Sequence, residues 1–166
     1  MSTQISMTGR LDPRDSWVAE RCPMAATLDV VSTRTAFLVL REAFYGATRF
    51  DQFVSRTGIS EPVAAARLKE LETAGLLERR PYQEPGQRTR HEYALTEKGR
   101  ELGMVVGALA AWGGRHVHKQ TRLVHTGCGH PVSVGYYCPD CGEGVRGADV
   151  TVTRARSRRG TRAPRG

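Results

Sequence analysis

The sequence predicts a mainly α fold with a small β-hairpin, followed by a short β segment built around cysteines. Three observations predict it. Five stretches between residues 16 and 118 carry apolar residues at helical spacing. One stretch, 76–96, alternates at strand spacing around the turn signal "EPGQ". Three of the four cysteines fall within residues 125–144.

The first helix is expected within residues 16–32, where Trp17, Val18, Met24, Leu28 and Val31 recur loosely and Pro23 suits a first helical turn. "STRTAFLVLREAFYG" (32–46) predicts the second. Ser32 can cap it, Phe37, Leu40 and Phe44 form a face with Val39 and Ala43, and Gly46 ends it. A shorter helix over 48–58 has Phe50, Phe53 and Val54 as its stripe and Gly58 as its stop. The next, 59–75, begins at Ser60 with Glu61 and Pro62 in its first turn. It buries Ala64, Leu68 and Leu71, and stops at Gly75. The hairpin follows, with Tyr93 and Leu95 on one face of its second strand. Thr96 caps one long last helix, in which Leu102, Val105, Leu109 and Trp112 follow at i, i+3, i+7 and i+10, and the pair Gly113–Gly114 ends or kinks it.

Length and composition narrow the function classes. The 166 residues suit one domain and an appendage. No stretch approaches the roughly 20 apolar residues of a membrane span, and "MSTQISMTGRLDPRD" has no apolar core of the signal-peptide kind, so a cytoplasmic protein is expected. The net charge of +8 is unevenly spread: "RARSRRGTRAPRG" (154–166) carries six Arg and no acid, leaving +2 for the remaining 153 residues. That tail is expected to be a disordered basic arm, which binds polyanions without reading sequence. Residues 1–15 are expected to be disordered as well, with a globular domain at 16–118 and a cysteine segment at 120–152. No Ser/His/Asp pattern, phosphate loop or open metal site stands out, so no enzymatic activity is expected.

Two helices joined through Gly58 and followed by an Arg-rich hairpin suggest a winged helix-turn-helix. In that arrangement the second helix offers its N-terminal residues to the major groove, and the hairpin lies along the DNA backbone. Between Arg49 and Arg90 stand eight basic residues against six acids, a balance that permits DNA binding without proving it.

"RCPM" (21–24), "LVLREAFYGATRFDQFVSRTGIS" (38–60), "ARLKELETAGLLERRPYQ" (66–83) and "YALTEKGRELGMVVGALAAWG" (93–113) come in the order and near the spacing of the HxlR family. The chain resembles these bacterial winged-helix regulators, related in fold to MarR-type proteins, over about residues 20–115. The resemblance implies a homodimer formed by the N- and C-terminal helices on a two-fold-related double-stranded DNA operator. Candidate DNA contacts are Ser60, Arg67 and Lys69 on the recognition helix, and Arg88 and Arg90 on the wing. The chain departs from the family pattern in two places. Ser32-Thr33-Arg34 stands where Gly-Lys-Trp is usual, and Pro62, Ala64 and Ala65 replace a basic residue, a Leu and a hydroxyl. The recognition helix is thus short of base-reading side chains, and specificity is expected to lean on DNA shape. Cys22-Pro23 matches a family cysteine that sometimes senses oxidants or electrophiles. Arg21 beside it favours a thiolate, while a buried structural thiol is the competing reading.

"HTGCG" (125–129) and "CPDCG" (138–142) repeat the pattern ligand-x-x-Cys-Gly. His125, Cys128, Cys138 and Cys141 make the spacing of a zinc-ribbon-like pair of knuckles. Four N/S ligands suit a closed, structural Zn(II) site. His130 is the alternative to His125, and His116 and His118 are expected at the surface. A dithiol of thioredoxin type lacks the helix that should follow its second cysteine. The expected function is a dimeric, sequence-specific transcriptional regulator. The alternative is a dimeric scaffold whose cysteine segment docks another protein.

Overall fold

The computed structural model describes residues 5–8, 22–31, 33–83, 89–119 and 121–153. In chain order the elements begin with β1 (Ser6–Met7), α1 (Pro23–Val30), α2 (Arg34–Phe44), α3 (Phe50–Thr57) and α4 (Glu61–Thr73). They continue with β2 (Leu77–Tyr82), β3 (Arg90–Leu95), α5 (Glu97–Glu101), α6 (Gly103–His116), β4 (Tyr136–Cys138), β5 (Glu143–Val145) and β6 (Thr151–Val152). The chain divides into two compact units, Pro23–Val134 and the pair of segments Met1–Cys22 and Gly135–Gly166. Trp17, Val18, Arg21, Ser32, Arg88 and the tail 154–166 lie outside the described residues.

In the larger unit Pro23 opens α1, where its missing N–H is not needed. The N-cap of α2 is Thr33, whose Oγ1 accepts from the Ala36 N–H at 3.1 Å. This hydroxyl starts the helix where the family pattern has Gly-Lys-Trp. α2 buries Ala36, Val39 and Leu40, α3 buries Phe53, and α4 buries Ala64, Leu68 and Leu71. All of these but Ala64, with Val31, Ala47, Leu76 and Leu77, form one core. Glu42 is also buried, and Arg41 meets its carboxylate at 2.6 Å. Gly58, at φ +67°, closes α3 in the left-handed conformation that the turn to α4 requires.

β2 and β3 pair antiparallel, with Leu77 opposite Leu95, Arg79 opposite Tyr93 and Tyr82 opposite Arg90. Tyr93 packs edge-on against Phe53, their rings 6.0 Å apart, and its N–H donates to the Thr48 carbonyl at 2.7 Å. The hairpin is thereby seated on the start of α3. At its other end Thr96 caps α5, accepting from the Gly99 N–H at 3.0 Å while its hydroxyl donates to the Gly75 carbonyl at 2.7 Å. Lys98 Nζ adds a bond to the Ala74 carbonyl, also 2.7 Å. The "LTEKG" motif thus ties the hairpin base to the end of α4.

The single last helix expected from Thr96 onward is two helices, α5 and α6, broken at Leu102. The Leu102 N–H bonds back only three residues, to the Gly99 carbonyl, and Gly99 and Gly103 flank the break. Each glycine costs a helix about 1 kcal/mol relative to alanine. Gly103 also lies under Phe44: a Cβ there would come within 3.1 Å of the ring. Gly113 and Gly114, expected to end or kink the helix, lie inside α6.

In the smaller unit β1 pairs parallel with β6, Ser6 opposite Thr151. Ser6 and Met7 fall within the segment expected to be disordered. β4 and β5 form an antiparallel hairpin whose turn is "PDCG". Among the described residues no single helix is long and apolar enough to cross a membrane.

Candidate nucleic-acid interface

α3, the Gly58 turn and α4 form the helix-turn-helix, and β2–β3 form the wing. α4 turns Ala64, Leu68 and Leu71 to the core, so helical geometry places Pro62, Ala66, Lys69 and Thr73 along the opposite face. All four are exposed, as is Ala65 beside them. Ser60 occupies the N-cap position, yet its side chain makes no cap bond, and it is exposed. Lys69 therefore lies on the outward stripe and Ser60 at its leading end.

Arg67 lies elsewhere. Its side chain is only 23% exposed and its guanidinium meets Glu70 at 2.6 Å. It lines a groove with Asp29 and Val30 of α1, and its Nε is buried without a hydrogen-bond partner. At the 100° per residue of a helix, position 67 falls on the flank of α4, between the core face and the outward stripe.

On the wing, Arg90 is exposed at the start of β3. Arg88 lies outside the described residues. Arg80 is paired with the Glu78 carboxylate. Arg79 instead donates to Nδ1 of His91 at 3.0 Å. The guanidinium of Arg49, at the N-cap of α3, lies over the ring of Tyr82, 5.2 Å from its centroid. Arg49, Arg79, Arg90, His91 and Tyr82 line one cleft between the start of α3 and the wing. In the sequence Arg49 and Arg79 stand among eight basic residues with no pattern that assigns them a role. Arg49 is about 30 positions from its cleft partner Arg79, and only the seating of the hairpin on α3 brings them together.

A second feature of the larger unit is apolar. Met104, Val105, Leu109 and Trp112 of α6 are 62%, 41%, 54% and 57% exposed, and their spacing puts them on one helix face. Met24, Leu28 and Val30 of α1 are exposed as well.

The zinc reading is overturned. Among the described residues no group of three or more His, Cys, Asp or Glu could hold a metal ion. The four expected ligands form two separate pairs. His125 Nδ1 and Cys128 Sγ are 3.2 Å apart, and the Cys138 and Cys141 sulfurs 3.5 Å apart. Each ligand-x-x-Cys turn closes on its own backbone bonds, Cys128 and Gly129 N–H to the His125 carbonyl and Gly142 N–H to the Cys138 carbonyl. Local spacing fixes a pair, whereas a four-ligand shell needs long-range pairing between the turns. Here the unit boundary at Val134–Gly135 falls between them. His130 serves through its backbone carbonyl, which accepts from the His125 N–H. His116 and His118 are exposed, as expected. The backbone N–H of Cys141, then its thiol, then the N–H of Asp140, hold the Cys138 thiol below its ordinary pKa. Cys22 is a half-buried free thiol immediately before α1.

Comparison with known proteins agrees with this architecture. The family model for HxlR-like helix-turn-helix proteins matches residues 30–121. An HTH-type transcriptional regulator of Mycobacterium tuberculosis, Rv3095, is 37% identical over 128 residues, covering 75% of this chain and 80% of the relative. The transcription factor PA1607 superposes with a TM-score of 0.69 at 30% identity, over 89% of this chain and all of the other. The redox regulator HypR, solved in its oxidised form, gives 0.52 at 30% identity over 57% of this chain and 97% of its own. With the family model spanning more than half its length, the chain belongs to the HxlR-like helix-turn-helix family.

Proposed function

We propose that the chain regulates transcription as a homodimer on a two-fold-related DNA operator, with α4 in the major groove and the wing along the backbone. The observation that carries this is the helix-turn-helix itself, α4 held by three buried side chains with its opposite face exposed beside a basic wing. Membership of a helix-turn-helix regulator family supports the same reading and no enzymatic role. Ser60 meets the DNA from the N-cap of α4 and Lys69 from its outward stripe, and Arg88 and Arg90 meet it from the wing. Arg67 joins them by exchanging Glu70 for DNA. A gel shift on the chain's own upstream DNA tests the reading. Wild type is expected to retain the fragment, and Arg67→Ala and Lys69→Ala to weaken it, while an unshifted fragment and an empty selection from random duplexes would reject it.

The outward stripe of α4 makes a more specific expectation. Pro62, Ala65 and Ala66 offer no bidentate partner for a base, but they suit contact with the 5-methyl group of thymine. Replacing thymine by deoxyuridine in the α4-facing part of a selected half-site should weaken binding roughly fourfold per buried methyl. An operator indifferent to that replacement would show that α4 reads by other means.

Cys22 supplies the response to oxidants or electrophiles. It is accessible enough for reagent, and a structural relative is a redox regulator. Cys22→Ser is expected to leave DNA affinity of the reduced protein within about twofold while abolishing its response to diamide. The same response in Cys22→Ser as in wild type would assign sensing to other thiols, and Cys128, Cys138 and Cys141 should then be replaced in turn.

A further inference from the structure

We propose that the cleft between the start of α3 and the wing seats a phosphate of the DNA backbone, held chiefly by Arg79 and Arg90. This rests on the DNA-binding reading above and says which contacts give that binding its salt dependence. Two neighbouring guanidiniums are matched to carboxylates: Arg67 meets Glu70, and Arg80 meets Glu78. Arg79 is held differently. Arginine can only donate, so in the 3.0 Å bond between Arg79 and His91 the acceptor is a ring nitrogen, Nδ1, and not a carboxylate. A ring nitrogen orients the guanidinium without supplying a carboxylate's charge.

Arg90 lines the same cleft from β3, and Arg49 lines it from the N-cap of α3, stacked over Tyr82. Asp51 is the one carboxylate lining it among the described residues, and it is exposed on the first turn of α3. Arg79 and Arg90 thus border one concavity with forked donors matching the oxygens of a phosphate. The cleft flanks the helix assigned to the major groove, and the phosphate chains border that groove. It carries no side chain that reaches along α4 toward base edges, so its contribution should be blind to sequence.

The test uses the full chain with a duplex recovered by selection and an unrelated duplex. Arg79→Ala and Arg90→Ala should each weaken both duplexes by the same factor, about tenfold. Each should also reduce the slope of log K against log salt by about 1. Arg79→Lys should restore most of the slope, and Arg80→Ala, already matched by Glu78, should leave it unchanged. Thermal unfolding of each variant checks that it is folded. Methylphosphonate scanning of the selected duplex should locate one phosphate per half-site whose neutralisation weakens wild type but not Arg79→Ala.

Unchanged slopes with wild-type binding intact would overturn the proposal while leaving the DNA-binding reading in place. So would a loss confined to the selected duplex, which would make Arg79 a base reader. If inorganic phosphate stabilises wild type but not Arg79→Ala and DNA affinity is unaffected, the cleft is a free-anion site and the proposal fails. If wild type retains no duplex at all, both readings fail together.

Discussion

Gly99→Ala is expected to destabilise the winged-helix unit by about 3 kcal/mol or more, at the upper end of overpacking effects. A Cβ at Gly99 would overlap the Leu76 carbonyl oxygen outright and come within 3.2 Å of Leu95 Cδ2. The carbonyl is not free to retreat. It accepts from the Thr96 N–H at 3.1 Å and from the Thr96 hydroxyl at 3.3 Å, and Leu77 next to it pairs with Leu95 at the hairpin base. Making room means opening the seam between the end of α4, the wing and α5. Gly113 is the control: it lies in α6 with nothing within 4 Å of an added Cβ. Gly113→Ala should be neutral or stabilising by about 0.5–1 kcal/mol, since alanine loses less backbone entropy in a helix. Urea titration of both variants separates the two cases, and a Gly99→Ala protein as stable as wild type would show that the seam yields.

That glycine illustrates what was legible in the sequence and what was not. The helices were readable because their buried residues recur at helical spacing and their ends carry Pro23, Gly58, Gly75 and Thr96, each with a local reason to be there. Ser32 is a possible cap for α2 by residue type, but Thr33 next to it makes the cap bond, a choice that one residue of register decides. Apolar periodicity runs straight through the break at Leu102, and the close approach of Gly103 to the Phe44 ring is a long-range contact that periodicity does not carry. For the interface, Ser60, Arg67 and Lys69 come from the family resemblance, and the place of Lys69 on the outward stripe and of Arg67 on the flank follows from the helix phase set by Ala64, Leu68 and Leu71. The repeat "HTGCG…CPDCG" fixed two local turns faithfully. The metal shell expected from it needs both turns at once, and among the described residues no group of three or more His, Cys, Asp or Glu could hold a metal ion.

The apolar face of α6 leads to the other large effect. Met104, Val105, Leu109 and Trp112 together present four exposed apolar side chains on one helix, and Met24, Leu28 and Val30 of α1 add three more. Such a surface is costly in water unless a partner covers it. A second copy of the chain is the partner that also fits the two-fold operator proposed above, because an isologous interface pairs one patch with itself. Charging the patch in Leu109→Glu/Trp112→Glu should leave the core intact, since neither side chain is among the buried residues, and yield a monomer by sedimentation. Two half-sites held by one dimer gain avidity of about 10²–10⁴ over either alone, so the monomer should lose at least roughly 100-fold in affinity for the full operator. Affinity for a single half-site should barely change. The interface reading fails if the double variant still sediments as a dimer, or if it is a monomer that binds the full operator as tightly as wild type. Loss of half-site binding as well would mean instead that α6 supports the helix-turn-helix directly, through the contacts that Leu102 and Val106 make with the core.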